Sequence, residues 1–261
     1  MVTHLSHSSI KLYQTCGRKF KFHYIDRVPS PKAAALAFGI AFHEVAERCL
    51  RAHVAGVDHD PPALFAGAWA SASADVDDWA GKEPDDYLAE GERMFEHPAV
   101  LMGLYAIRPR IGADGRPMLE ERAQLIVPGL PPIVGRVDVV EDDGAIGDLK
   151  TASRSWTPQQ AMAEVQPLIY CAAMHQAGHL EPPYRFRHRV FVKTREPKTQ
   201  VIETTRTQEE IDWLIAGMVE THRAIEGGHF PPNPLSCYAY GRPCEFWSLC
   251  RPGQPAGADR D

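Results

Sequence analysis

The chain has no long hydrophobic run, which excludes a typical membrane-spanning helix. Its longest apolar stretch, residues 33–42, has ten residues, about half of the length that crosses a bilayer. The opening residues MVTHLSHSSIKLY lack the hydrophobic core that a secretory signal needs. We therefore expect a cytoplasmic protein, a compartment in which disulfide bonds are uncommon.

The sequence also lacks an excess of positive charge and of glycine and proline. Its net charge is -6, which does not favour bulk electrostatic binding of nucleic acid. Glycine (20) and proline (22) stay below the level of low-complexity sequence in a chain that is 44% hydrophobic. Basic residues are nevertheless concentrated near the start of the chain. They form either a solvated helix face or a local contact for phosphates. They are Lys11, Arg18, Lys19, Lys21, Arg27 and Lys32.

The hydrophobic pattern predicts a mixed α/β (α+β) fold. Apolar residues at helical spacing or capping signals predict helices over residues 5–25, 38–53, 157–176 and from 207 onward, with one or two more between 63 and 106. Short segments rich in β-branched residues predict strands over 121–127, 133–140, 145–151, 185–193 and 199–205. Gly17 interrupts the first helix, and the first three strands form an antiparallel meander.

Acidic residues follow the predicted meander. Asp148 and Lys150 are two apart on one strand, so their side chains share a face. Asp138 on the neighbouring strand is near enough to share a cation, and Glu121, or less favourably Glu120, can approach from the first strand. Carboxylates beside a lysine suit a hydrolytic Mg²⁺ or Mn²⁺ site. The alternative is a salt bridge on the surface. Both acids are surrounded by apolar residues, in GRVDVV and GDLKT, which argues against this alternative.

Three further residues are candidates with structural alternatives. His43 lies in HEVAE, which lacks the second histidine of a zinc peptidase, so His43 is either an additional ligand or a structural residue. Gln166 and Tyr170 are four apart and share a helix face. They act together at a site or form a polar stripe.

The six cysteines fall into two sets. Cys49 and Cys171 lie on apolar helix faces and are predicted to be core residues. The other four indicate a metal site rather than disulfides in a cytoplasmic chain. They are Cys16, Cys237, Cys244 and Cys250. The lack of paired CxxC motifs favours iron–sulfur over zinc, and four unconnected thiols are the alternative.

Six segments, taken in order, resemble the RecB-type exonuclease family of the PD-(D/E)XK superfamily. The resemblance is to its iron–sulfur branch, which includes the CRISPR-associated adaptation exonuclease and the AddB nuclease domain. It runs from about residue 5 to residue 251. The segments are LSHSSIKLYQTCGRKFKFHYI, GIAFHEVAE, GRVDVV, GDLKT, Gln166-x3-Tyr170 and FPPNPLSCYAYGRPCEFWSLC.

This resemblance implies a restriction-endonuclease-like core, a central mixed sheet flanked by helices. A single nuclease domain would cover residues 1–250, with a helical insertion over 54–118. A cysteine segment over 237–250 would close on Cys16, and residues 251–261 would form a flexible tail.

The resemblance also assigns roles to residues of this chain. His43, Asp138, Asp148 and the Leu149 carbonyl would hold Mg²⁺ or Mn²⁺. Lys150 would be the catalytic lysine, and Glu121, Gln166 and Tyr170 would complete the active site. The four clustered cysteines would bind a [4Fe–4S] cluster, and Arg18 and Lys19 would contact DNA phosphates.

The implied function is a metal-dependent DNA exonuclease that acts on single-stranded or free-ended DNA. Repair, recombination, and phage or CRISPR-type DNA processing are the expected settings. The expected partners are a helicase, CRISPR adaptation proteins or phage replication proteins. The chain has no helicase motif, so unwinding would come from a partner. One alternative is a non-catalytic module that binds DNA ends or a partner protein through a nuclease-like fold. Another is a zinc-stabilised hydrolase of another substrate class.

Overall fold

The computed structural model describes residues 3–239 and 242–251. It confirms the predicted fold class, with helices around a five-stranded mixed sheet. The helices are α1 (His7–Thr15), α2 (Gly17–Phe20), α3 (Ala34–Ala55), α4 (Pro61–Ser73), α5 (Pro84–Glu96), α6 (Pro98–Tyr105), α7 (Pro158–Ala163), α8 (Gln166–Gln176), α9 (Gln208–Glu226) and α10 (Trp247–Cys250), with a π-helical turn at Lys21–Ile25. Residues 252–261 of the predicted tail lie outside the described residues, as do positions 240 and 241 of the cysteine segment.

The strands follow one another in space as they do along the chain. The five-stranded sheet has the order β1 (Leu119–Leu125), β2 (Ile133–Val140), β3 (Ile146–Ala152), β4 (Tyr184–Val192) and β5 (Lys198–Arg206). β2 and β3 are antiparallel, β3 and β4 parallel, and β4 and β5 antiparallel. The parallel pair needs a crossover connection, which α7 and α8 supply. A separate pair, β6 (Tyr238–Ala239) and β7 (Arg242–Pro243), lies in the cysteine segment.

The chain divides into two compact units, which we describe separately. Unit 1 consists of Met1–Pro31, Gln124–Gly135 and Asp212–Asp261, and it contains α1, α2 and the cysteine segment. Unit 2 consists of Lys32–Ala123 and Arg136–Ile211, and it contains α3 to α8 and most of the sheet. In unit 2 the aromatic side chains of Phe38 and Phe42 from α3 pack in one apolar core with residues of α4, α5 and β4. Among the described residues, no helix has both the length and the apolar character to span a membrane.

The single helix predicted over 157–176 is wrong, because the structure has two helices there. Glu164, after α7, has an extended backbone with ψ 132°. Pro167 explains the break, since a proline inside a helix removes an N–H donor and clashes with the carbonyl four residues earlier. The buried Arg206 guanidinium donates to the carbonyls of Ala161 and Met162 at the end of α7. The break therefore places Gln166 at the start of a new helix.

The segment between residues 63 and 106 forms three helices instead of one or two. Each of them has a proline in its first turn, at Pro61, Pro84 and Pro98. Proline suits that position because its missing N–H would have no partner within the helix. The capping box predicted at the start of α9 is confirmed, since Thr207 and Glu210 exchange side-chain to backbone hydrogen bonds.

A network of ion pairs joins the β2–β3 turn to β4 and β5 in unit 2. Arg187 contacts Glu141, Asp143 and Glu203, and Arg185 contacts Asp143 and Glu203. The hydrogen bond from Arg187 lowers the pKa of Asp143 from 3.8 to about 2. The folded state thus favours the charged carboxylate. This stabilisation is present above pH 4 and is lost as the pH falls towards 2.

We expect Asp143→Asn to lower the free energy of unfolding at pH 7 by about 1 kcal/mol, a small value because the carboxylate is partly exposed and screened by solvent. The difference from wild type should shrink as the pH falls from 4 to 2. Urea unfolding at several pH values measures it, with Asp142→Asn as the matched control. A difference that is constant over this pH range would contradict the assignment.

Candidate active site

A histidine and two carboxylates come together at one edge of unit 2. His43 comes from α3, Glu120 from β1 and Asp138 from β2, and their ligand atoms all lie within 4.8 Å of one another. His43 Nδ1 is 3.5 Å from Asp138 Oδ1. Within residues 3–239 and 242–251, no second group of three histidine, cysteine or acidic residues is as close. Imidazole nitrogen and carboxylate oxygens are donors that suit Mn²⁺ and, for the oxygens, Mg²⁺.

The hydrophobic pattern of the two elements explains these positions. Phe42 and Val45 of α3 are fully buried, which leaves His43 on the partly exposed side of the helix. Val137 and Val139 of β2 are also buried, so the side chain of Asp138 points to the other face of the strand. The Leu149 backbone N–H donates to Asp138 Oδ2 over 2.6 Å, which fixes this carboxylate.

The third member is Glu120, although the sequence favoured Glu121. Glu120 has a positive φ of 56°, a conformation that L-residues seldom adopt. This backbone breaks the regular alternation of side chains along β1, so the strand pattern could not show which acid approaches His43 and Asp138. Glu121 does not belong to the group of close ligand atoms. A strained residue at a site of this kind is consistent with a functional constraint.

The charges of the group favour a bound cation. Burial raises the pKa of Glu120 to about 7, and the charge of Asp138 contributes in the same direction. Burial lowers the pKa of His43, but the hydrogen bond and charge of Asp138 outweigh it and leave a raised pKa. Neighbouring negative charge therefore raises the pKa of His43 and adds to the effect of burial on Glu120. A divalent cation would neutralise the same charge, so the residues present fit a metal site.

Asp148 and Lys150 of β3 form the second part of the site. Asp148 is 1% exposed, so the pair is not the exposed surface salt bridge that the sequence left open. Lys150 Nζ donates to Asp148 Oδ1 over 2.8 Å and to Gln166 Oε1 over 2.9 Å. Burial lowers the pKa of Lys150, but the charge of Asp148 outweighs burial and raises it. The lysine is therefore a cation at neutral pH.

Gln166 and Tyr170 lie on α8, which begins just after the helix break. Burial raises the pKa of Tyr170, and a hydrogen bond with Gln166 opposes this shift. Lys150, Gln166 and Tyr170 thus form one hydrogen-bonded series. The structure brings together the predicted side chains from β2, β3 and α8, together with His43.

His188 is a residue of the site that the sequence analysis missed. It lies opposite Asp148 on β4, and its Nδ1 is 3.6 Å from Asp148 Oδ2. The imidazole is fully buried and packs against Trp156 and Phe186, so it faces the Asp148 carboxylate from the core. A signal was available, because His188 is a polar residue at a core position of the alternating strand YRFRHRVFV.

The four clustered cysteines line one pocket in unit 1. Cys16 lies between α1 and α2, and the others come from the C-terminal segment: Cys237, Cys244 and Cys250. The Asn233 backbone N–H donates to Cys16 Sγ over 3.4 Å, a contact that stabilises a ligating thiolate. No three of these sulfurs lie within 4.8 Å of one another.

The other predicted residues of unit 1 have different surroundings. Lys19 forms an ion pair with Glu245 over 2.9 Å, and Arg18 has an exposed side chain. Phe20 is fully buried against Tyr13 and Phe230. Cys49 and Cys171 in unit 2 are buried core residues, as predicted.

Comparison with known proteins places this geometry in a family. A family model described as the PD-(D/E)XK nuclease superfamily matches residues 4–251. No curated protein matches the chain significantly. Among solved structures, the chain is similar to a "Putative exonuclease" from Eubacterium rectale, with a TM-score of 0.56 and 13% identity over 99% of this chain and 91% of that one. This likeness supports the fold, and the family match covers nearly all described residues. The chain therefore belongs to the PD-(D/E)XK nuclease superfamily.

Proposed function

We propose that this nuclease is a Mg²⁺- or Mn²⁺-dependent exonuclease of the RecB type that hydrolyses phosphodiester bonds in single-stranded or free-ended DNA. The observation that carries the proposal is the group of His43, Glu120 and Asp138. It is joined by the Asp138–Leu149 hydrogen bond to the strand that bears Asp148 and Lys150.

In this proposal the residues divide the chemistry between them. His43, Glu120, Asp138 and Asp148, with the Leu149 carbonyl, would hold the cation. A bound divalent cation lowers the pKa of a coordinated water and neutralises charge on the phosphate. His188 holds the Asp148 carboxylate in place from the buried side.

Lys150 acts as a fixed positive charge rather than as a base. Its Nζ lies between Asp148 Oδ1 and Gln166 Oε1, and its raised pKa keeps it protonated. A preorganised cation of this kind stabilises the negative charge that develops as the phosphate is attacked. Gln166 and Tyr170 orient the ammonium group towards that position.

Unit 1 supplies a [4Fe–4S] cluster and DNA contacts in the same proposal. The four cysteines of the pocket would bind the cluster as thiolates, which ties the first helices to the C-terminal segment. The exposed Arg18 would contact phosphates, and Lys19 would do so after exchange of its partner Glu245. A helicase, CRISPR adaptation proteins or phage replication proteins would supply the free ends.

The neighbours Glu120 and Glu121 offer a matched test of the metal site. We expect Glu120→Gln to weaken Mn²⁺ binding at least tenfold and to lower the rate of DNA cleavage, because one of the anionic ligands is lost. Glu121→Gln should leave both quantities within about twofold of wild type. Calorimetric titration with Mn²⁺ and cleavage of labelled single-stranded DNA measure the two effects.

Equal affinities of the two variants for Mn²⁺ would show that Glu120 is not a ligand. Binding of Mn²⁺ by wild type without any cleavage would favour the non-catalytic alternative.

A further inference from the structure

The exposed side of α3 changes character along the helix. After His43 it is charged in the usual way, with Glu44 paired to Arg48 and Glu47 to Arg51. Before His43 it is apolar, although it faces solvent. We call these four residues the α3 apolar face: Ala35, Leu36, Gly39 and Ile40. Leu36 is 59% exposed and Ile40 47% exposed.

Packing does not explain this face, because the opposite side of the helix carries the core contacts. Phe38 and Phe42 are fully buried there, whereas Leu36 and Ile40 leave about half of their surface in solvent. Large apolar side chains grouped at a concave surface are typical of a binding site.

Gly39 lies on the same face. It lies inside a helix of 22 residues, where glycine is destabilising relative to alanine. A Cβ added at Gly39 would meet no heavy atom within 4 Å, so the fold does not require its absence. Glycine at such a position allows a bound molecule to approach the helix backbone.

The α3 apolar face is continuous with the candidate metal site. The face and two members of that site, His43 and Glu120, line one open groove of about 480 Å³ in unit 2, which also includes Glu44 and Glu47. Among described residues, none of those that line this groove is a lysine or an arginine. Glu44, Glu47 and Glu120 pair with arginines that do not line the groove. The wall itself therefore offers phosphate groups no cationic side chain, whereas Leu36 and Ile40 favour contact with apolar surfaces.

We propose that the α3 apolar face contacts the bases of the DNA strand that is being cleaved. This inference rests on the proposed function and adds the groove that receives the substrate. The flat faces of bases are apolar and fit over Gly39 between Leu36 and Ile40, while the phosphates turn away from Glu44 and towards the bound cation.

The proposal predicts a preference for single strands. In a duplex the flat faces of the bases are stacked on one another and unavailable, whereas an unpaired strand can present them to the protein. The enzyme would therefore bind strands with unpaired bases in preference to duplexes in the groove that leads to the metal site.

The test compares two fluorescein-labelled strands of equal length and charge, oligothymidine and an abasic strand of the same number of phosphates. Binding is followed by fluorescence anisotropy with the full chain, with Ca²⁺ replacing Mn²⁺. The variants are Gly39→Leu, which fills the face, and Leu36→Ser with Ile40→Ser, which makes it polar. Met102→Ser on α6 is the matched control, since Met102 is 73% exposed and does not line the groove.

We expect wild type and the Met102 variant to bind oligothymidine more tightly than the abasic strand. Both α3 variants should bind oligothymidine about tenfold more weakly and the abasic strand within twofold of wild type. Unchanged melting temperatures establish that the variants are folded, and Gly39→Ala, which removes a helix-destabilising glycine, should melt no lower than wild type.

Two results would overturn the inference. One is equal binding of the two strands by wild type, and the other is an equal loss of affinity for both strands in the α3 variants. Cleavage with Mn²⁺ is measured separately. Wild type that discriminates between the strands but does not cleave would refute the proposed function and leave the base contact standing.

Discussion

Lys150→Met is expected to reduce the rate of DNA cleavage by about a hundred- to a thousandfold, which is the typical cost of losing one preorganised hydrogen-bond donor at a reacting centre. Methionine keeps most of the length and apolar volume of the lysine but removes its charge. The Nζ contacts with Asp148 and Gln166 disappear with it. Cleavage of labelled single-stranded DNA under single-turnover conditions gives the rate.

The same substitution should also lower stability, because Asp148 is 1% exposed and would lose its partner. Removal of one member of a buried ion pair costs about 3 kcal/mol. The double variant Asp148→Asn with Lys150→Met removes both charges and should recover most of that stability. It should not recover cleavage.

This pair of variants separates folding from chemistry. A single variant that cleaves within threefold of the wild-type rate would refute the role of Lys150. A double variant that regains both stability and cleavage would show that Lys150 acts only by supporting the fold.

Cys250→Ser is expected to abolish the visible absorbance of the protein and to lower its melting temperature by about 5–10 °C. The anaerobically prepared wild type should contain iron and inorganic sulfide in a one-to-one ratio. Loss of one thiolate opens the cluster, and the stability lost is that of a group which holds distant parts of unit 1 together. Metal and sulfide analysis with thermal unfolding measures both effects.

Cys171→Ala is the matched control, because Cys171 is a buried core cysteine of unit 2. It should keep the absorbance while losing some stability through a small cavity. Wild type that contains zinc without sulfide, or that contains neither metal, would contradict the cluster.

The sequence predicted the strands better than the helices. β2 was predicted with the bounds that it has, because Ile133 to Val140 combines β-branched residues with flanking turn residues. The helix break before Gln166 was missed for two reasons. The capping box at Thr157 predicts the start of a helix, and the apolar pattern that follows continues past the break. Only the steric effect of Pro167 on the preceding turn reveals the break.

In the candidate site, too, some residues could be predicted from the sequence and others could not. Asp138, Asp148 and Lys150 could be predicted because each stands at a fixed position in an apolar strand, and alternation gives its face. Glu120 could not be distinguished from Glu121, since the decisive fact is a positive φ that no local pattern predicts. His188 is sequentially distant from Asp148, and the two meet only through the parallel pairing of β3 and β4.

The measurement that tests the central claim most directly is degradation of single-stranded DNA by the anaerobically prepared full chain with Mn²⁺, Mg²⁺ or EDTA. The label is placed at the 5′ end in one experiment and at the 3′ end in another, which also gives the polarity. We predict loss of label with Mn²⁺ or Mg²⁺, and none with EDTA. Intact DNA in the presence of both metals, with a loaded cluster and either label, would contradict the account.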